Sequence, residues 1–283
     1  MYVALSTLSY SLSCLPKVAL DGVARILSAF IFDILRFRRA LILKNIKIAF
    51  GEKYSAEDRV RLGRASVYHF ALTMLETLVS VRKPIAADVS VEGERHLREA
   101  LAQGKGAYIL CFHMGNWEAM AAKMTQSIVP SYVLVKKIGS PGVQRWVEET
   151  RQRNDFRWIK REKKGDGFRG IREVLSRGEA VGFAFDQTRP GEPRLPFFGH
   201  PAKTNTSLAA IWRRYPAPII PAYIQRESFG VHTLKFFPEV KLTVSENLDA
   251  DILTHSQQFN QVLEELITQC PEQYFWLHNR WKS

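Results

Sequence analysis

The chain has 283 residues, 46% of them hydrophobic and 11% aromatic, which excludes a disordered polymer and leaves room for one large domain or a domain with a small helical extension. Lys and Arg number 40 against 28 Asp and Glu, so the formal charge is +12, which suits either an anionic partner (nucleic acid, anionic membrane, acidic protein or phosphorylated substrate) or a basic surface that merely keeps the protein soluble. Three cysteines, Cys14, Cys111 and Cys270, lie far apart in no CxxC pair, which argues against a disulfide framework and a zinc site.

Residues 1–16 carry no charge, but they lack a basic leader and a small-residue cleavage site, so they make a poor signal peptide. Leu20, Val23, Leu27, Phe30, Ile31 and Ile34 then recur at helical spacing, interrupted by Asp21, Arg25 and Asp33. A spanning helix is nearly charge-free over about 20 residues. Residues 18–36 therefore read as an amphipathic helix, lying on a membrane surface or facing the core. The basic cluster Arg36-Phe-Arg-Arg39, with Lys44 and Lys47, follows directly, a placement that suits anionic lipid or a solvated helix face. Ser55-Ala-Glu-Asp58 resembles a capping box and opens a helix that Pro84 ends. Val89–Val91 is a short strand and His96–Gln103 a short helix.

The apolar run Ala107–Phe112 reads as a buried strand, followed by His113, the turn residues Gly115 and Asn116, and a helix beginning Trp117-Glu118. Strands at Tyr132–Val135 and Arg157–Ile159 alternate with helices at Pro141–Asn154 and Phe168–Ser176. Ala180–Phe185 is a second buried strand, ending at Asp186-Gln187. Thr188–Pro196 is a long Gly/Pro/Arg-rich loop, of the kind usually functional or mobile. A helix at Ser207–Tyr215, strands at Ile219–Gln225 and His232–Phe237, a helix at Asp251–Cys270 and an aromatic, basic tail complete the chain. The alternation gives an α/β fold, expected as a mixed, mainly parallel sheet flanked by helices, with residues 1–50 a membrane-associating helical extension of a domain at 51–283.

Polar groups stand at the C-terminal ends of two apolar strands, where open α/β sheets place their chemistry. His113 in the loop and Glu118 in the first helical turn can meet, the carboxylate fixing one ring nitrogen and freeing the other to take a proton. The bland alternative is a loop histidine and a carboxylate serving the helix dipole. Cys111 lies inside the apolar run, where cysteine is usually a small buried hydrophobe. No G-x-S-x-G, H-E-x-x-H, P-loop or G-x-G-x-x-G occurs, so seryl, metal and nucleotide chemistry have no support, and no nucleic-acid recognition motif is present.

At these residues the chain resembles the late acyltransferases of lipid A biosynthesis, within the H-x4-[DE] glycerolipid acyltransferases. Leu15-Pro16, Lys44-Asn45 to Ala49-Phe50, His113-Met-Gly-Asn-Trp-Glu118, Asp186-Gln187, Pro196-Phe-Phe-Gly199, Pro201–Thr206 and Trp276-Leu-His-Asn-Arg-Trp281 match the family's blocks in order. The resemblance implies transfer of a fatty acyl chain, from acyl carrier protein or acyl-CoA, to a hydroxyl of a lipid A precursor at the cytoplasmic face of the bacterial inner membrane. It implies no cofactor beyond the thioester co-substrate, and no metal. His113 would be the base and Glu118 its orienting carboxylate. Asp186 and Gln187 would hold the acceptor or the catalytic loop, Asn116 would contact the substrate, and Arg145, Arg151 and Arg189 would bind phosphates. Lys136-Lys-Ile-Gly-Ser-Pro141 departs from the family's Tyr-Arg and Asn-Pro pattern, which keeps open another glycolipid acceptor, such as a phosphatidylinositol mannoside. A non-catalytic basic lipid-binding protein is the reading from a different class.

Overall fold

A computed structural model of the chain describes residues 1–135, 139–159, 165–188 and 191–282. Four helices come first: α1 Tyr2–Ser13, α2 Lys17–Ala29 with a π-turn at Phe30–Ile34, α3 Arg39–Phe50 and α4 Ala56–Val79. Then β1 Val89–Glu92, α5 Glu94–Leu101, β2 Ala107–Cys111, α6 Trp117–Ser127, β3 Ser131–Leu134, α7 Pro141–Arg153, β4 Arg157–Ile159, α8 Asp166–Ser176 and β5 Ala180–Ala184 alternate. The hairpin β6 Arg194–Phe197 and β7 His200–Lys203 precedes α9 Ser207–Arg214, β8 Ile219–Ser228, β9 Val231–Phe236 and α10 Leu248–Gln269. The capping box forms as the sequence indicates: Ser55 Oγ accepts from the Asp58 amide, and the Asp58 carboxylate accepts from the Ser55 amide.

The main sheet runs β1-β9-β8-β2-β5-β3-β4. β8, β2, β5, β3 and β4 are mutually parallel, and β9 turns antiparallel to β8, so the sheet is mixed and mainly parallel, as expected. β2 lies at its centre and has both faces buried. Tyr108 and Leu110 enter one core and Ala107 and Ile109 the other, the period-two alternation of a strand. Such a strand reads as a continuous apolar run because neither face meets water.

One segment differs from expectation in part. The end of the stretch expected as an irregular loop, Arg194–Pro196, belongs instead to β6, which pairs with β7 as a hairpin with Pro196 facing Pro201. Neither proline can donate to the ladder, a position only a short two-stranded edge tolerates. Residues 1–50 pack closely onto the rest. Leu20 and Ala24 of α2 meet Ala71, Leu72 and Leu75 of α4, while Phe32, Ile42 and Ile46 are fully buried in the main core. Among the described residues no helix is long and apolar enough to cross a membrane. The outward side of α1 and α2 nonetheless stays apolar, with Val3, Tyr10, Val18, Ile26 and Ile34 exposed.

Candidate active site

β2 and β5 are parallel neighbours with Cys111 opposite Ala184. His113 and Asp186 each lie two residues beyond those partners, and the Phe185 amide still donates to the Cys111 carbonyl. The two side chains thus leave adjacent strand ends at one level, about one strand spacing apart. His113 Nδ1 donates to Asp186 Oδ1 at 2.8 Å and the His113 backbone amide donates to Oδ2 at 3.1 Å. Asp186 is wholly buried. With Nδ1 protonated and held, Nε2 is an acceptor, and the Gln187 side-chain amide stands 3.4 Å from it.

The carboxylate on the imidazole is therefore Asp186, where the sequence led us to expect Glu118. Glu118 lies in the first turn of α6 and accepts two bonds from Arg151, from Nε at 3.0 Å and Nη2 at 2.7 Å. A bidentate guanidinium is a stronger partner for a carboxylate than a neutral ring. Arg151 is further fixed over the Phe156 ring, 4.5 Å from its centroid.

Burial tends to lower the His113 pKa, but the Asp186 charge and hydrogen bond, with the Glu118 charge, outweigh it and raise the value above its ordinary 6.5. For Asp186, burial pushes up, while the His113 charge, its two hydrogen bonds and the buried Arg280 pull down harder, keeping the carboxyl ionised. Burial, then Asp186, push the Cys111 thiol up to about 12, so it stays a neutral apolar side chain.

The backbone between histidine and helix is fixed from below. Gly115 has φ +59°, and a Cβ there would stand 1.9 Å from the Ile224 carbonyl oxygen, so the close approach to β8 needs glycine. Asn116 caps α6, its Oδ1 accepting from the Glu118 and Ala119 amides, and its Nδ2 donates to Glu76 Oε2 at 2.7 Å. Glu76 in turn is gripped by Arg226 through Nε and Nη2 at 3.0 and 2.8 Å. From the C-terminal segment, the Phe275 amide donates to the His113 carbonyl. The imidazole edge meets Trp117, ring centroids 5.0 Å apart.

His113 opens into a cavity of about 520 Å³, lined near the ring by Phe70, Trp117, Glu118, Arg151, Gln187 and Phe275 and deeper by Ile109, Cys111, Met120, Met124, Val133 and Gly182. That size is in the range of pockets for small ligands, and the deep part is apolar. Of the residues singled out in the sequence, His113, Asp186, Gln187, Glu118 and Arg151 come together here. Asn116 is buried and holds the loop instead of lining the cavity. Arg145 is away from it, paired with Glu149 at 2.8 Å and stacked on Tyr2. Arg189 and the Lys136-Lys137 pair lie outside the described residues. Sequence reasoning missed Glu76 and Arg226, two of many charges in a long helix and a strand. It also missed His278, whose Nε2 accepts from the Thr188 amide at 3.4 Å just after Asp186. Among the described residues no cluster of histidine, cysteine and carboxylate side chains is arranged to hold a metal.

The chain is 25% identical to the lipid A biosynthesis palmitoleoyltransferase of Escherichia coli over 98% of its own length and 87% of that protein's. It is 27% identical to the lipid A biosynthesis lauroyltransferase of the same organism, over 88% of this chain and 81% of the relative. Among solved structures, the 1-acyl-sn-glycerophosphate acyltransferase PlsC of Thermotoga maritima aligns with 89% of this chain and 99% of its own, at 14% identity and a TM-score of 0.39. The model of the bacterial lipid A biosynthesis acyltransferases matches residues 2–283, nearly end to end. The chain belongs to that family and is an enzyme of the acyltransferase class.

Proposed function

We propose that the protein moves a fatty acyl chain from an acyl thioester to a hydroxyl of a lipid A precursor, with His113 as general base and Asp186 as its orienting carboxylate. The observation that carries this reading is the His113 ring itself: Nδ1 is held by a buried carboxylate while Nε2 faces a deep apolar cavity. Nε2 takes the proton of the acceptor hydroxyl. The oxygen attacks the thioester carbonyl, the C–S bond breaks, and the thiolate leaves with the proton from the imidazolium. Asp186 stabilises the imidazolium formed in between. A base so placed contributes on the order of 10²–10⁴-fold. Gln187, beside Nε2, is placed to donate to the carbonyl oxygen as charge develops there. The acyl chain occupies the cavity's apolar depth, and the Glu118–Arg151 pair fixes a charged edge at its mouth.

The thioester carries the activation, so the reaction needs no cofactor. A surface of +12 suits an acidic acyl carrier protein as donor. The enzyme works at the cytoplasmic face of the inner membrane, and the exposed apolar side of α1 and α2 supports peripheral attachment. The basic cluster after α2 contributes less than its sequence promised: Arg38 donates to the Leu277 carbonyl and Arg39 pairs with Asp33.

The test is transfer of radiolabelled acyl chains from acyl carrier protein thioester and from acyl-CoA, in parallel, to a lipid A precursor and to other glycolipids. The wild type is expected to acylate the lipid A precursor, and His113→Ala to lose roughly 10²–10⁴-fold in kcat. Full turnover in His113→Ala would exclude this mechanism.

A further inference from the structure

A second cavity lies across α4 from the active site. Phe70 and Met74 of α4 line the His113 cavity, whereas Glu76 and Val79, on the helix's other side, line a cleft of about 140 Å³ closed by the α1–α2 turn and β9. This is room for several waters or one tetrahedral oxyanion. Its rim carries three cations, Lys17, Arg82 and Lys83.

The cleft's floor holds an unusual group. His232 is only 1% exposed, lines the cleft, and neither ring nitrogen has a hydrogen bond; Nε2 stands 3.5 Å from Glu76 Oε2. Burial lowers its pKa to about 4, so the ring is neutral and offers one N–H. A buried polar group without a partner is costly and calls for an explanation. The carboxylates nearby do not oppose an anion strongly. Glu76 is matched by the Arg226 guanidinium. Asp88 bridges Lys17 at 3.3 Å and Lys83 at 2.7 Å, but these bridges are exposed and weak. Among the described residues, the Arg82 guanidinium has one hydrogen-bond acceptor, the Cys14 thiol. Three cations against Asp88 leave two positive charges at the rim.

We infer that this cleft binds the phosphate of an anionic glycerophospholipid headgroup, Lys17, Arg82 and Lys83 meeting its charge at the rim and His232 donating from the floor. The lipid is favoured as the source because the rim is set in exposed apolar surface. Leu15 is 41% and Val18 84% exposed on either side of Lys17, and they suit the lipid's acyl region. The inference does not depend on the chemistry at His113.

The experiment uses the full-length protein. Sedimentation with vesicles of phosphatidylcholine containing phosphatidylglycerol is compared for wild type, His232→Leu, Arg82→Gln/Lys83→Gln and a control, Arg169→Gln/Arg172→Gln on α8, which takes no part in the cleft. The histidine ring signals are followed by NMR during titration with inorganic phosphate and, separately, with the same vesicles. Arg82→Gln/Lys83→Gln is expected to weaken vesicle binding at least about tenfold, the size expected for two basic groups at an anionic surface, and well beyond the equally charged control. His232→Leu, which alters no charge, is expected to weaken it as well, and the His232 signal to shift with vesicles. A shift with inorganic phosphate but unchanged vesicle binding in both variants would keep an anion site and overturn the lipid as its source. No shift with either probe would overturn the site. Arg82 and Lys83 are surface residues, so their variant decides the matter even if His232→Leu fails to fold.

Discussion

The constellations around Glu76 and around Asp186 are both built on a buried carboxylate, and they end differently. In one, Glu76 and Arg226 are both nearly inaccessible, and the surrounding groups close on them: Thr73 and His69 on the guanidinium, Asn116 and the Gly230 amide on the carboxylate. In the other, Asp186 is just as buried, but its partner His113 keeps Nε2 turned to a cavity. The difference is one ring nitrogen, which faces a cavity and meets only the Gln187 side-chain amide, at 3.4 Å, among the described residues. Where both members of a pair are satisfied, the pair fixes geometry. Where one is left open at a cavity, it can do chemistry. The two are joined, because Glu76 holds Asn116, which caps the helix that follows His113.

The comparison breaks most sharply at Asp186. Asp186→Asn keeps the shape but favours the wrong tautomer, leaving Nε2 protonated and unable to act as base. A loss of roughly 10²–10⁴-fold in kcat is expected, with Tm much less affected. Arg226→Met should do the reverse in kind. It leaves Glu76 charged and buried, which costs about 3–5 kcal/mol and lowers Tm by roughly 6–15 °C in thermal unfolding. What folds should retain the chemical step within about tenfold, because the His113–Asp186 bond does not pass through Arg226. If Arg226→Met instead matched Asp186→Asn in kcat with an unchanged Tm, the division between the two constellations would be wrong.

Glu118→Gln sits between them. It removes a charge-assisted pair that is about one-tenth exposed, for which about 1.5–3 kcal/mol is expected, or roughly 10- to 100-fold in kcat/KM. Because Arg151 and Glu118 form the cavity's edge and not the base, most of that loss should fall on KM. A loss confined to kcat, as large as that of Asp186→Asn, would return Glu118 to the role its spacing from His113 suggests.

That spacing shows how far the sequence reaches. The alternation of elements, the two apolar strands and the polar ends of both were legible from residue pattern alone. The pairing was not, because His113 and Asp186 are 73 positions apart and meet only once β2 and β5 become neighbours. A signal was present: Cys111-Phe-His113 and Ala184-Phe-Asp186 place their polar residue at the same offset from an apolar run, which matters only if the strands pair in register. Other matched motifs prove to be fastenings. Asn45 of α3 donates to the Trp276 and His278 carbonyls, at 2.8 and 2.9 Å, and Phe50 meets Trp276 edge to face, so two distant blocks form one clasp beneath the site. Glu76 and Arg226 left no pattern, since a buried ion pair is defined by burial that single charged residues do not announce.

The smallest effect expected is also the most diagnostic, because it moves activity and stability in opposite directions. Despite burial, Asp186 and Glu118 raise the His113 pKa above 6.5. A base acts only when neutral, so kcat/KM should fall tenfold per pH unit below an apparent pKa above 6.5. Glu118→Gln, which removes one raising charge, should shift that limb to lower pH by less than Asp186→Asn does in its residual activity. The stability sign is opposite. A raised histidine pKa contributes stability that is fully present below 6.5 and is lost as pH rises through the folded value, whereas the lowered Asp186 pKa contributes stability above 3.8 that is lost only as pH falls through its folded value. Across the window from 6.5 upward to the folded His113 value, kcat/KM should therefore climb while the His113 contribution to Tm declines. Thermal unfolding and initial rates measured in the same buffers check this, with Asp186→Asn expected to flatten the His113-dependent slope in Tm. If that slope persisted in Asp186→Asn, the titrating group would lie elsewhere.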